Sequence, residues 1–198
     1  MFGPPKTRKT QTLLAKQYLK MMGWKVEGEV PDLPKFVVLF APHTSGWDLP
    51  FMLAIAYALG IEGKWFGMKE IFRWPIGKFL KWLGRIPVDR DNHQNMVGQT
   101  VQLINEQEQI IVAISPEGTR SKSSCWKTGF YYIAHEAGVP IVLAYLDYDR
   151  KVGSFGPVIE TTGDIETDIE IIRSFYLGIT PKYPRKIGEI VFKPRPLT

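Results

Sequence analysis

Three short segments carry side chains that could do chemistry. In Pro42-His43-Thr44-Ser45-Gly46-Trp47-Asp48, an aspartate follows a histidine five positions on. Imidazole is the side chain best suited to move a proton near neutral pH. A carboxylate that accepts a hydrogen bond from one ring nitrogen leaves the other free as a base and stabilises the imidazolium once it forms. The spacing allows this if a turn carries His43 back over the start of a following helix. The same residues also fit a plainer arrangement, in which Asp48 caps that helix and His43 is a hydrogen-bonded turn residue.

The second segment is Ser115-Pro116-Glu117-Gly118-Thr119-Arg120-Ser121. Glycine relaxes the steric limits on a turn, so backbone N–H groups can converge on an anion. Arg120 offers a planar fork suited to phosphate oxygens, with Thr119 and Ser121 as hydroxyl donors. Taken alone, the segment reads equally as a strand-ending turn with a Glu117–Arg120 ion pair. The third segment, residues 64–90, holds seven bases (Lys64, Lys69, Arg73, Lys78, Lys81, Arg85, Arg90) against Glu70 and Asp89. Trp65, Phe66, Phe72, Trp74, Phe79 and Trp82 are interleaved with them. Such a mixture suits a lipid headgroup zone, a single nucleic-acid strand, or a core aromatic set with solvated lysines.

The surrounding pattern supplies the scaffold. Short apolar runs at 36–41, 64–68, 85–89, 109–115 and 140–148 read as strands. Helical patterns lie at 48–59, 75–83, 93–106 and 128–138. This alternation predicts βαβ units and an α/β fold with a mainly parallel central sheet flanked by helices. After Lys151 the pattern loosens to a helix at 165–177 and a late strand at 189–193. Open α/β sheets bind ligands beyond the carboxyl ends of their strands, and two of the chemical segments lie there.

The chain of 198 residues is 44% hydrophobic and 23% charged, which excludes a disordered or fibrous protein and suits one domain with a short appendage. Its net charge is +5, yet residues 1–25 hold six bases (Lys6, Arg8, Lys9, Lys16, Lys20, Lys25) and no acid, leaving 19 bases against 20 acids elsewhere. That asymmetry favours a basic arm meeting an anionic surface over a nucleic-acid-binding body, so no nucleic-acid partner is expected. Residues 9–22 predict an amphipathic helix with Leu14, Tyr18 and Met21/Met22 on one stripe, suited either to a lipid interface or to packing on the domain. The expected division is an arm at 1–25 and a single α/β domain at 26–198. No stretch reaches the roughly 20 apolar residues of a membrane span. A lone Cys125 excludes an intramolecular disulfide. His93, His135 and Cys125 read as ordinary residues.

Taken in order, His43-x₄-Asp48, the block from Lys69 to Val88-Asp89-Arg90, and Glu117-Gly118-Thr119-Arg120-Ser121 resemble the glycerolipid acyltransferases typified by 1-acylglycerol-3-phosphate acyltransferase. Lys127-x-Gly129 also fits the family. Pro42 departs from it, standing where an asparagine is usual, and the closing Val139-Pro140 block has no second proline. The resemblance implies transfer of a fatty acyl group from an acyl thioester (acyl-CoA or acyl-carrier protein) to a lysophospholipid hydroxyl, a step of phospholipid biosynthesis. On that basis His43 is the general base and Asp48 its orienting partner, while Lys69, Arg90, Glu117, Gly118, Thr119 and Arg120 bind the acceptor. Backbone N–H groups near Glu117–Gly118, or around the His43 turn, are the expected oxyanion donors. No metal and no bound cofactor are expected. The expected location is the cytoplasmic face of a membrane, peripherally attached. Competing readings are the same chemistry on another lyso-lipid, a thioesterase-like hydrolase, and a non-enzymatic membrane-surface module.

Overall fold

Phe36, Val37, Val38, Leu39 and Phe40 are all buried, because both faces of their strand are covered. The computed structural model describes residues 9–61, 64–68, 85–88, 96–119, 125–187 and 190–193. Among these residues the strands are β1 (Lys25–Glu27), β2 (Lys35–Phe40), β3 (Lys64–Met68), β4 (Arg85–Val88), β5 (Ile110–Ile114), β6 (Trp126–Lys127), β7 (Ile141–Asp147), β8 (Val152–Ile159) and β9 (Phe192–Lys193). The helices are α1 (Lys9–Met21), α2 (Asp48–Ala58), α3 (Met96–Glu106), α4 (Gly129–Ala137) and α5 (Ile165–Tyr176).

Seven of these strands form one sheet in the order β1-β8-β7-β2-β5-β3-β4, while β6 pairs with β9 in a separate ladder. β7, β2, β5, β3 and β4 run parallel, and β8 turns back antiparallel to β7 with β1 parallel beside it. The mainly parallel, helix-flanked α/β architecture follows the strand–helix rhythm of the sequence.

Side chains alternate across β2. Phe36, Val38 and Phe40 enter one core with Ala15 and Leu19 of α1 and Phe51, Ala54 and Ile55 of α2. Val37 and Leu39 enter the other with Val97 and Ile104 of α3, Phe130 and Ile133 of α4, and Ile172 and Tyr176 of α5. Two covered faces explain a continuous apolar run where a one-sided sheet would show alternation. Buried Tyr176 ties the second layer to the sheet, donating from its hydroxyl to the Leu39 carbonyl on β2 and accepting from Ala144 N on β7.

Three features depart from the sequence reading. β8 was not expected, because Gly153, Gly156 and Pro157 interrupt its pattern and such residues are depleted in strands. Gly153 is there for packing: a Cβ would lie 2.0 Å from Ile55 Cδ1. β1 was also not expected, and it spans the 25/26 boundary. In α1, Ala15 and Leu19 turn to the core with Tyr18 half-buried, whereas Leu13, Leu14 and Met21, and Met22 just after the helix, stay exposed. The helix expected at 75–83 and the start of that at 93–106 lie outside the described residues.

Candidate active site

β2 and β5 are adjacent and parallel, with Leu39 opposite Ile114, so the loops following them leave the same edge of the sheet. The Ala41–Pro42 peptide is cis, and His43 follows it. The main-chain N–H of His43 donates to Glu117 Oε1 across 2.9 Å. Glu117 Oε2 accepts from Ser115 Oγ at 2.6 Å. This carboxyl therefore joins the two loops. Burial pushes its pKa above the ordinary glutamate value, against the opposing pull of those two hydrogen bonds.

The His43 ring lies edge-on to Phe40 with centroids 5.9 Å apart, and its Nδ1 is 2.9 Å from Asp48 Oδ2. Asp48 opens α2 and is fully buried. Its Oδ2 also accepts from the N–H groups of Thr44 (3.0 Å) and Ser45 (2.9 Å). The carboxylate thus reaches back into the turn, and this closes the five-residue gap to His43. A carboxylate oxygen only accepts, so the bridging proton sits on Nδ1 in the neutral ring and the lone pair is left on Nε2.

Asp48 has a fourth donor that sequence reasoning missed. Tyr148, directly after β7, donates its hydroxyl to Oδ1 at 2.6 Å. Burial, then the hydrogen bond to Asp48, raises the Tyr148 pKa far above the ordinary tyrosine value, so it remains a donor. The signal that could have found it is its place at the carboxyl end of a strand beside β2. Trp24 packs edge-on to Tyr148 at 4.9 Å and stacks on Phe51 at 4.4 Å.

Gly118 adopts φ +63, the left-handed region that favours glycine, and a Cβ there would lie 3.5 Å from the Lys127 side chain. Its N–H bonds to the Ser115 carbonyl at 3.3 Å. The N–H groups of Gly118, His43, Thr44 and Ser45 are all engaged within the protein. Thr119 follows Gly118 at the same sheet edge. Lys69, Arg90 and Arg120 lie outside the described residues. Among the described residues no group of three or more His, Cys, Asp or Glu side chains could hold a metal ion.

An imidazole so held, beside a loop anchored by a buried carboxyl, can take a proton from an alcohol. Residues 25–146, more than half of the chain, match the family model described as acyltransferase. The chain belongs to the acyltransferase family. Its fold is similar to that of the 1-acyl-sn-glycerophosphate (LPA) acyltransferase PlsC from Thermotoga maritima, with a TM-score of 0.62 and 17% identity over 86% of this chain and 77% of that one. Comparison with curated proteins finds no match.

Beside His43 and Asp48 lies a cleft of about 610 Å³. Residues 44–47 and Pro50 form one wall, Tyr183 and Lys186 the other. The segment after α5 closes over the turn: Tyr183 N donates to Thr44 Oγ1 at 3.2 Å and Lys186 Nζ to the Thr44 carbonyl at 3.3 Å. The sequence reading assigned nothing to this segment.

Proposed function

We propose that this acyltransferase moves a fatty acyl group from an acyl thioester, acyl-CoA or acyl-carrier protein, to the hydroxyl of a lysophospholipid, with 1-acylglycerol-3-phosphate the leading acceptor. The observation that carries the reading is the 2.9 Å contact between His43 Nδ1 and the buried Asp48 carboxylate. An alcohol is a poor nucleophile at neutral pH, and a positioned base contributes about 10²–10⁴-fold in rate. His43 Nε2 takes the hydroxyl proton as the oxygen attacks the thioester carbon. The tetrahedral intermediate then expels the thiolate, which receives that proton from the imidazolium. Asp48 holds the tautomer and stabilises the imidazolium. No covalent enzyme intermediate is needed.

Lys69, Arg90, Arg120 and the Gly118–Thr119 turn are assigned to the acceptor's phosphate, holding the hydroxyl near His43 and lowering the entropic part of the barrier. β3 and β4, which precede Lys69 and Arg90, lie on the β5 side of β2. Glu117 supports the turn from within.

The acceptor is a lipid, and the proposed attachment is peripheral, through an arm at residues 1–25 on the domain at 26–198. No helix among the described residues is long and apolar enough to cross a membrane. Supporting the attachment, α1 leaves Leu13 59%, Leu14 65% and Met21 77% exposed alongside Lys9, Lys16 and Lys20.

The test is mass spectrometry of lipids formed from mixed acyl donors and lyso-acceptors. Wild type forms one acylated product class, His43→Ala forms none, and Arg120→Ala chiefly weakens acceptor binding. Normal transfer by His43→Ala overturns the assignment.

A further inference from the structure

The mouth of the cleft concentrates cations on aromatic faces. Lys182 Nζ lies 5.1 Å from the Trp47 ring centroid, 5.8 Å from that of Tyr148 and 5.9 Å from that of Tyr183. Lys186 Nζ lies 4.8 Å from that of Tyr183. Trp47 is 57% exposed and Tyr183 43%. Residues 178–187 carry Lys182, Arg185 and Lys186 with no acid. Among the described residues, no carboxylate forms an ion pair with either lysine. Rings and one main-chain carbonyl hold these ammonium groups in place without neutralising them.

We propose that Trp47, Lys182, Tyr183 and Lys186 form a second membrane contact, which seats the mouth of the cleft on the phosphate groups of an anionic lipid surface. Exposed indole and phenol rings flanked by lysines suit the headgroup zone, where rings lie among acyl carbonyls and ammonium groups meet phosphates. The patch is linked to the end of α1 through buried Trp24. Met22 is followed by Gly23 and Trp24, and the Trp24 ring touches Tyr148, which touches Lys182. The dyad would then open toward the bilayer, since Thr44, next to His43, lines the cleft. This contact rests on the reading that the acceptor is a lipid, and it adds a surface distinct from the N-terminal arm.

A free nucleotide phosphate is a poorer occupant. Lys186 bonds to the carbonyl of Thr44, one residue from the proposed base, whereas the phosphates of a coenzyme A thioester lie a whole pantetheine arm away from the reacting carbon.

Vesicle co-sedimentation of the full chain tests the proposal, with vesicles of neutral phospholipid alone or mixed with an anionic phospholipid. Lys182→Gln is expected to weaken partitioning onto the anionic vesicles roughly fivefold and to flatten its salt dependence. Trp47→Ser should weaken partitioning by a similar factor, and Arg173→Gln, which removes a cation outside the cleft, should leave it unchanged. Melting curves show whether each variant is folded. Brominated lipids supply a second measurement: they should quench wild-type fluorescence more than that of Trp47→Phe. Unchanged partitioning of folded Lys182→Gln, with equal quenching of wild type and Trp47→Phe, overturns the contact. So does Lys182-dependent binding of adenosine 3′,5′-bisphosphate without any effect on vesicles. If no donor and acceptor pair is turned over while Lys182-dependent vesicle binding persists, the acyl-transfer reading fails and the contact stands.

Discussion

Tyr148 donates a 2.6 Å hydrogen bond to Asp48 Oδ1, joining the end of β7 to the start of α2. Asp48 thereby has donors on both oxygens: the Tyr148 hydroxyl on one, and His43 Nδ1 with the Thr44 and Ser45 N–H groups on the other. An orienting carboxylate fixed at four points cannot rotate away from the imidazole it holds. Tyr148→Phe leaves a buried acceptor lone pair unmet, which costs about 1–3 kcal/mol. The expected result is a lower melting temperature and acyl transfer slowed by about tenfold or less. A variant with wild-type melting and rate removes Tyr148 from the site.

Asp48 itself separates chemistry from folding. Asp48→Asn retains an oxygen for the Thr44 and Ser45 N–H groups but removes the charge facing the imidazolium. It should lower kcat by about 10²–10⁴-fold and change stability little. Asp48→Ala strands both N–H groups and the Tyr148 hydroxyl, and unfolding free energy should fall by about 3–5 kcal/mol. Denaturant titration beside initial-rate measurements distinguishes them; equal damage in both variants contradicts the orienting role.

Glu117 predicts a pH effect of definite sign. Burial raises its folded pKa above the unfolded one, so folding favours the protonated form. Its contribution to stability is fully present below the unfolded pKa and is lost as pH rises through the folded value. Glu117→Gln removes that dependence. Relative to wild type, its denaturation midpoint should therefore move upward as pH rises above the ordinary glutamate range. A constant difference between the two midpoints as pH rises contradicts the raised pKa.

α1 has two faces with separable consequences. Leu19 is buried in the core, and Leu19→Ala should cost about 2–5 kcal/mol. The triple change Leu13→Ser, Leu14→Ser and Met21→Ser alters exposed positions, so melting should hold while vesicle binding falls. Lys9→Gln, Lys16→Gln and Lys20→Gln together should weaken binding most at low salt. If the serine variant keeps its vesicle affinity, the lipid-facing role of the helix is refuted.

His43 and Asp48 were legible in the sequence because their contact is local: one turn after an apolar strand brings them together. β2, β5 and β7 were legible because burial on both faces leaves uninterrupted apolar runs. β8 was hidden, because Gly153 answers a clash with Ile55 on another element and a propensity pattern does not record such a neighbour. The helix at 9–22 was predicted, but its periodicity left two faces open. Packing on α2 buried Ala15 and Leu19 and left Leu14 and Met21 exposed, a choice that the periodicity did not make.

By itself, the chain's order of residues determined the family chemistry: an imidazole and a carboxylate in one turn, a glycine-bearing loop after a second strand, and an α/β rhythm to carry them. Only the tertiary structure decided what surrounds that dyad. Tyr148 reaches Asp48 across 100 positions and Glu117 reaches the His43 amide across 74, while Lys182 finds the Trp47 ring through the segment that follows α5. The reason is physical. A local turn is specified by the torsional preferences of neighbouring residues, whereas Glu117 and Tyr148 meet the His43 turn because parallel strands of fixed register release their loops at one edge, a property of the assembled sheet.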